Sequence, residues 1–216
     1  MLGTPEKRLA LQAYEKILDL ILNGPAVPGD VVNERRIAEI VGMSRTPVRD
    51  ALLMLEGEGL LLRQGRALHV KRMRLEDYMD ALQIRLLLEP TVARLAAGQV
   101  EKADTQRLRE ELEDILGSEP TERADRSLVR GVDESLHGLL ADVAGNAQLS
   151  AIIRTLRRQT QMFDLRSMPE RLEDTCQEHL AIVDAVEAGD GERAAAAMTA
   201  HLSRVRDSII GRLTRT

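Results

Sequence analysis

The sequence predicts a mainly α fold in two parts: three helices with a short β hairpin, then an all-helical bundle. Three observations predict it. From about residue 76 to 213 every segment carries apolar residues at helical spacing, and none alternates as a half-buried strand does. Between Asn33 and Gly57 two helical patterns are separated only by Gly42-Met43-Ser44. Between Leu60 and Val70 two short apolar runs flank Arg63-Gln64-Gly65-Arg66, the pattern of a hairpin.

Taken in order, residues 5 to 23 form a helix opened by Thr4 and Pro5. Leu9, Ala13, Ile17, Leu20 and Ile21 supply its apolar face, and Asn23-Gly24 stops it. Residues 24 to 30, rich in Gly and Pro, are a turn-rich connector. The second helix runs from Asn33, whose side chain caps it, to Val41, where Gly42 supplies a left-handed exit. Ser44 caps a third helix reaching about Gly57, with Pro47 in the first turn, where a missing N–H costs little. Ile37, Ile40, Val41, Val48, Leu52 and Leu55 form the interior face, and the hairpin tip projects Arg63 and Arg66. Helices follow at 76–98, 103–117, 121–144, 147–166, 169–188 and 191–213. They are separated at Gly98, Gly117-Ser118-Glu119-Pro120, Gly145-Asn146, Ser167-Met168-Pro169 and Gly189-Asp190-Gly191, and Pro90 should kink the first. The expected domains are 1–72 and 73–216.

Composition narrows the function classes. With 44% hydrophobic residues the 216-residue chain can bury a core, and with 1% aromatics and no Trp that core is aliphatic. Cys176 has no partner for an internal disulfide, charged residues stand at Glu6, Lys7 and Arg8, and no apolar run approaches the roughly 20 residues that span a bilayer. A cytoplasmic protein with no membrane partner is expected. Net charge is -5, yet residues 1–72 carry 11 basic against 9 acidic side chains. Any nucleic-acid contact therefore belongs to the front third. The scarcity of aromatic rings disfavours single-strand or RNA recognition, which stacks bases, relative to duplex DNA.

Helix, tight turn and helix is the arrangement that lays its second helix in the major groove while the first braces it. Arg45 and Arg49, four apart at the N-terminal end of the third helix, share one face, and an arginine fork fits the O6 and N7 acceptors of guanine. Thr46 adds a short donor, and Arg35 and Arg66 are placed to reach phosphate or a groove edge. The competing reading is a helical pair with solvated arginines. The segment NERRIAEIVGMSRTPVRDALLMLEGEGLL resembles the winged helix-turn-helix of the GntR family of bacterial transcription regulators over about residues 10–71. Arg35, Ser44 through Arg49, and Glu58-Gly59-Leu60 stand in the family order; Met43 departs from it at a packing position. The resemblance implies DNA contacts from Arg35, Arg45, Thr46 and Arg49, with the wing at Gly65 and Arg66.

Asp133 and His137 lie four apart on one helix, and His179 and His201 fall on the apolar faces of the last two helices. Brought together, three imidazoles and a carboxylate would hold a divalent ion such as Zn, Ni, Mn or Fe, with positions left for a small carboxylate. Scattered histidines are also ordinary core or surface residues. The segments VDESLHGLLADVAGN, EHLAIVDAVEAGD and AMTAHLSRV resemble the all-helical FCD ligand-binding domain of the FadR-like GntR subgroup, and the six-helix count is similar to the VanR-like branch. The resemblance implies that Asp133, His137, His179 and His201 hold the ion. Retention of the histidines speaks against an acyl-CoA effector. Arg85 and Glu89 match a cavity-lining segment, with Arg85 as the effector-carboxylate anchor, or else they form an i, i+4 ion pair. Asn146 is equally a turn residue or a cavity group, Cys176 reads as a small buried residue, and His69 as an exposed wing residue.

The expected function is a dimeric, metal-containing, effector-responsive DNA-binding regulator. As a repressor of a catabolic or transport operon, it would read a short inverted repeat of double-stranded DNA and be released by a small organic acid. The alternatives are a metal-dependent enzyme acting on a small carboxylate and a helical interaction scaffold without ligand.

Overall fold

The computed structural model describes residues 5–118, 124–163 and 171–213. The chain packs as two compact units. The first runs to Tyr78 and takes in the segment from Arg158, whereas the sequence suggests a single cut after residue 72. It contains α1 (Pro5–Leu22), β1 (Val31–Val32), α2 (Glu34–Val41), α3 (Arg45–Gly57), β2 (Leu61–Gln64) and β3 (Ala67–Val70).

The buried face of α1 is Ala10, Ala13, Tyr14 and Ile17, and Leu9 at its edge is exposed, against expectation. Ile17, Val48, Leu55 and Leu60 lie at the centre of the core, each nearly or wholly excluded from water. Burying a Leu or Ile side chain stabilises by roughly 1.5–3 kcal/mol. The helix-turn-helix is set by local chemistry. Asn33 Oδ1 accepts from Arg36 N at 3.1 Å, Gly42 takes φ 67°, and its N–H bonds Ala38 O. Lys16 on α1 donates to Val41 O at 2.9 Å, which satisfies a carbonyl in the last turn of α2. Ser44 occupies the N-cap of α3 in extended conformation, but its hydroxyl makes no capping bond. Ile40 points outward at 54% exposure, so the interior face is shorter than the sequence suggests.

The sheet has the order β1-β3-β2, antiparallel throughout, with Leu62 opposite His69 and Val31 also opposite His69. Gly65 at φ 62° makes the hairpin turn. Only Arg66 occupies the tip: Arg63 lies on β2 and folds back as a fork onto Glu56, at 2.8 and 2.6 Å. His69 is half-buried, with Nδ1 3.2 Å from Gly29 O.

The second unit comprises Met79–Arg157 and the residues from 171 onward. Its helices are α4 (Leu75–Ala96, whose first turn belongs to the first unit), α5 (Lys102–Gly117), α6 (Ala124–Val143), α7 (Ala147–Gln161, whose last turn belongs to the first unit), α8 (Leu172–Glu187) and α9 (Gly191–Leu213). No strand occurs here among the described residues. α5, α6 and α9 pack around α8, with Leu112, Leu140, Ile182 and Leu202 at 1% exposure or less. Helix α4 runs on through Pro90. Helix α7 stops at Gln161 rather than 166, and Asn146 is a turn residue whose Oδ1 accepts from Leu149 N at 3.1 Å. The expected helix starts at 121 and 169 and the break at 167–169 lie outside the described residues. Among those described, no helix is long and apolar enough to cross a membrane.

Candidate nucleic-acid interface and metal centre

In the first unit, Arg35, Arg45, Thr46, Arg49, Gly65 and Arg66 are all exposed. Pro47 and Val48 face inward, which fixes the rotation of α3 and turns Arg45, Thr46 and Arg49 to solvent. Arg35 lies 3.3 Å from Glu39, one turn on. Arg45 is bonded to Glu34 of α2. This unit thus presents the N-termini of α2 and α3 and four arginines, Arg35, Arg45, Arg49 and Arg66, on water-facing surfaces, features that suit a polyanion.

In the second unit, α6, α8 and α9 bring Asp133, His137, His179 and His201 together. One ligand atom from each can be chosen so that all lie within 4.8 Å of one another. The imidazole centroids are 4.7–5.6 Å apart. His137, His179 and His201 are buried, and Asp133 keeps 27% side-chain exposure. Two of the rings are oriented by carboxylates. His137 Nδ1 donates to Glu89, and His201 Nδ1 donates to Glu178 Oε2 at 2.9 Å. Each carboxylate is itself held by arginine: Glu89 by Arg85 Nε at 2.5 Å, and Glu178 by Arg171 at 2.5 Å and Arg204 at 3.3 Å. With Nδ1 engaged, Nε2 is the nitrogen left to serve as a ligand.

The fit to a metal ion rests on buried nitrogens without hydrogen bonds: Nε2 of His137 and both ring nitrogens of His179. The His179 and His137 Nε2 atoms lie 3.3 and 3.5 Å from Asp133 Oδ1 without hydrogen-bond geometry. Buried polar atoms are almost always satisfied, so a cluster of orphaned nitrogens beside a carboxylate suits a cation. The residues present fit a divalent ion.

Arg157, which the sequence reading passed over, is the central counter-charge. It is 1% exposed, and its Nη2 donates to Asp133 Oδ2 at 2.7 Å, to Asp133 O at 3.0 Å and to Glu134 at 3.1 Å. Burial alone would raise the Asp133 carboxyl, but Arg157 overrides it and holds Asp133 well below the usual range. Glu89 is likewise pulled down against the effect of burial, by Arg85 and His137. Arg85 is buried, so the i, i+4 pair with Glu89 is real and lies inside the protein. Cys176 is a buried thiol pushed up to about 11 by burial, unsuited to nucleophilic work.

Burial pushes His201 down to about 3 and also lowers His179. An unfolded chain binds protons at these histidines below about pH 6.5, while the folded one resists them. The folded state therefore keeps its full stability above that pH and loses it as pH falls toward 3, because protons bind the unfolded chain preferentially. In chelator, the urea midpoint should already drop between pH 7 and 5. A midpoint flat across that window, falling only where carboxylates titrate, would contradict burial of these rings in neutral form.

Comparison with known proteins agrees on both halves. Residues 9–77 match the family model described as bacterial regulatory proteins, gntR family, and residues 80–204 match the FCD domain. The HTH-type transcriptional regulator LutR of Bacillus subtilis (strain 168) is 33% identical, across 89% of this chain and 97% of its own. The "Probable D-xylose utilization operon transcriptional repressor" of Paenarthrobacter nicotinovorans is 32% identical, across 90% and 86%. The solved structure of E. coli McbR/YncC superposes with a TM-score of 0.80 at 22% identity, covering 99% of this chain and all of that one, so the two share a fold.

Proposed function

Because the chain belongs to the gntR family of bacterial regulatory proteins and carries an FCD domain, we propose that it is a cytoplasmic, homodimeric repressor holding a divalent ion and released from its operator by a small carboxylate. That it is a DNA-binding transcription regulator rather than an enzyme follows from the membership itself. In this reading residues 1–72 recognise a short inverted repeat in duplex DNA, and residues 73–216 sense the effector and dimerise.

The observation that carries the sensing half is the convergence of Asp133, His137, His179 and His201 around nitrogens that have no hydrogen bonds. The donor set, three nitrogens and one oxygen, suits Zn, Ni, Mn or Fe, and the ion would supply a Lewis-acidic point at which a carboxylate can bind. Buried cations and anions are already matched around the site, Arg85 with Glu89 and Arg157 with Asp133. An added dication therefore leaves positive charge that an organic anion neutralises. Arg85 anchors that anion by exchanging Glu89 for it. Ile84, Leu87 and Leu95 lie exposed along α4, Leu87 at 71%, which supports a second copy as the cover for that face. The repressor sense is supported by the name of the Paenarthrobacter relative. An effector shifts DNA affinity only by its unequal affinity for two arrangements of the dimer.

A thermal-shift screen of small organic acids tests the sensing half. Acids that stabilise the ion-loaded protein should lose their effect when a chelator is added. For the DNA half, Arg45→Ala should weaken a duplex selected by the wild-type protein by about 1–3 kcal/mol and relax one base position. Unchanged affinity in a mobility-shift titration would show that the register assigned to α3 is wrong.

A further inference from the structure

The base-reading arginine at the start of α3 is held by a carboxylate at the start of α2. Glu34 Oε1 accepts a hydrogen bond from Arg45 Nε at 2.8 Å and lies 2.8 Å from Nη2 as an ion pair. The two partners differ in burial: the Glu34 side chain is 29% exposed and that of Arg45 69%. Glu34 is also the first residue of α2, on a turn fixed by the Asn33 cap, and its charge suits a helix N-terminus. The carboxylate is therefore the seated partner and the guanidinium the projecting one.

A guanidinium presents its donors along distinct edges, and guanine needs two of them, parallel, for O6 and N7. Glu34 occupies the edge formed by Nε and Nη2, which leaves the Nη1–Nη2 edge for a base. An arginine ordered before binding loses less rotamer freedom on contact. The same carboxylate has the opposite effect on a bare phosphate. It places negative charge where two helix N-termini and the exposed Arg35, Arg45 and Arg49 would otherwise attract any nucleic-acid backbone.

We propose that Glu34 is a specificity-determining residue: it positions Arg45 for a base edge and weakens sequence-independent phosphate binding at the same surface. The inference rests on the DNA reading above.

The full-length wild-type protein first selects duplexes from a random-sequence library. Binding of the selected duplex and of a shuffled duplex of equal composition is then measured by fluorescence anisotropy for wild type, Glu34→Gln and Glu34→Asp. An exposed ion pair of this kind contributes little to folding, so the variants should fold. Glu34→Gln should bind the shuffled duplex several-fold more tightly and the selected one no more tightly, reducing discrimination by on the order of tenfold. Glu34→Asp, which keeps the charge, should restore weak binding to the shuffled duplex. If both duplexes tighten in parallel, Glu34 acts by charge alone and the positioning role is overturned; if both weaken in parallel, its role is structural and the proposal fails. If the wild-type protein enriches no sequence, the DNA reading itself falls before any variant is compared, and this inference with it.

Discussion

Arg157→Met should destabilise the ion-free protein by about 3 kcal/mol, and by much less once the protein is saturated with a divalent ion. Removing one partner of a buried ion pair typically costs about 3–5 kcal/mol, because the other charge is left uncompensated. The lower end applies because Asp133 retains 27% side-chain exposure. Methionine fills much of the arginine stem volume, so the loss is chiefly electrostatic. In the ion-free protein Arg157 is the cation bonded to Asp133, through both its carboxylate and its carbonyl oxygen. A dication held by Asp133, His137, His179 and His201 would supply positive charge to the same carboxylate and take over that part of the task. Urea unfolding with chelator and with saturating Zn, for wild type and variant, measures both numbers. Equal deficits in the two conditions would mean that the ion does not reach Asp133, and no deficit at all would mean that the pair contributes nothing to folding.

The parts of this fold that could be read from the sequence are those decided within a few residues. The Asn33 cap, the left-handed Gly42 and Pro47 in a first turn each act locally, and α2, its turn and α3 stand where those signals place them. Strand β1 was not legible, because Val31 and Val32 are a strand only by pairing with His69 and Leu68, which lie far along the chain. Ile40 and Leu9 show the converse: an apolar residue at the right period is inward only if another element arrives to cover it. Asp133 and His137 could be grouped by their four-residue spacing, but their meeting with His179 and His201 depends on helix packing, and the sequence supplied that grouping only through family resemblance.

Arg157 and Glu178 were missed for the same reason. A charged residue declares its role through a partner on another helix, and here those partners are Asp133 and His201. A signal for Arg157 did exist. Ser150, Ile153 and Arg157 are buried at three- and four-residue spacing, so the arginine interrupts the inward stripe of α7, a place where charge is tolerated only if paired. Arg158, its neighbour, sits one position round the helix and belongs with its partner Glu58 to the first unit.

His179→Leu should abolish the stabilisation of the protein by divalent ions while leaving the ion-free protein as stable as wild type or more so. The wild-type half of the comparison follows from mass action: an ion at about 100 times its dissociation constant stabilises the folded state by about 2.7 kcal/mol, which for a chain of this size raises the melting temperature by about 5–10 °C. The variant separates metal binding from folding because of what His179 lacks. Both its ring nitrogens are buried and make no hydrogen bond, so removing them forfeits none. Each buried unsatisfied nitrogen instead carries a desolvation penalty of about 1–3 kcal/mol, which leucine, of similar volume, does not. Asp133→Ala is a poorer choice, since that carboxylate also anchors Arg157 and its loss would destabilise the fold with or without metal. Glu178→Gln should fall between. It keeps an acceptor for His201 Nδ1 but weakens the pull on the ring, and changes in such outer partners typically lower metal affinity about 10- to 100-fold. Differential scanning fluorimetry against Zn, Ni and Mn, with chelator as the zero point, reads all three proteins in one series. A wild-type melting temperature indifferent to every ion, or a full shift in His179→Leu, would remove the metal from this site, and the buried nitrogens would then need another ligand to satisfy them.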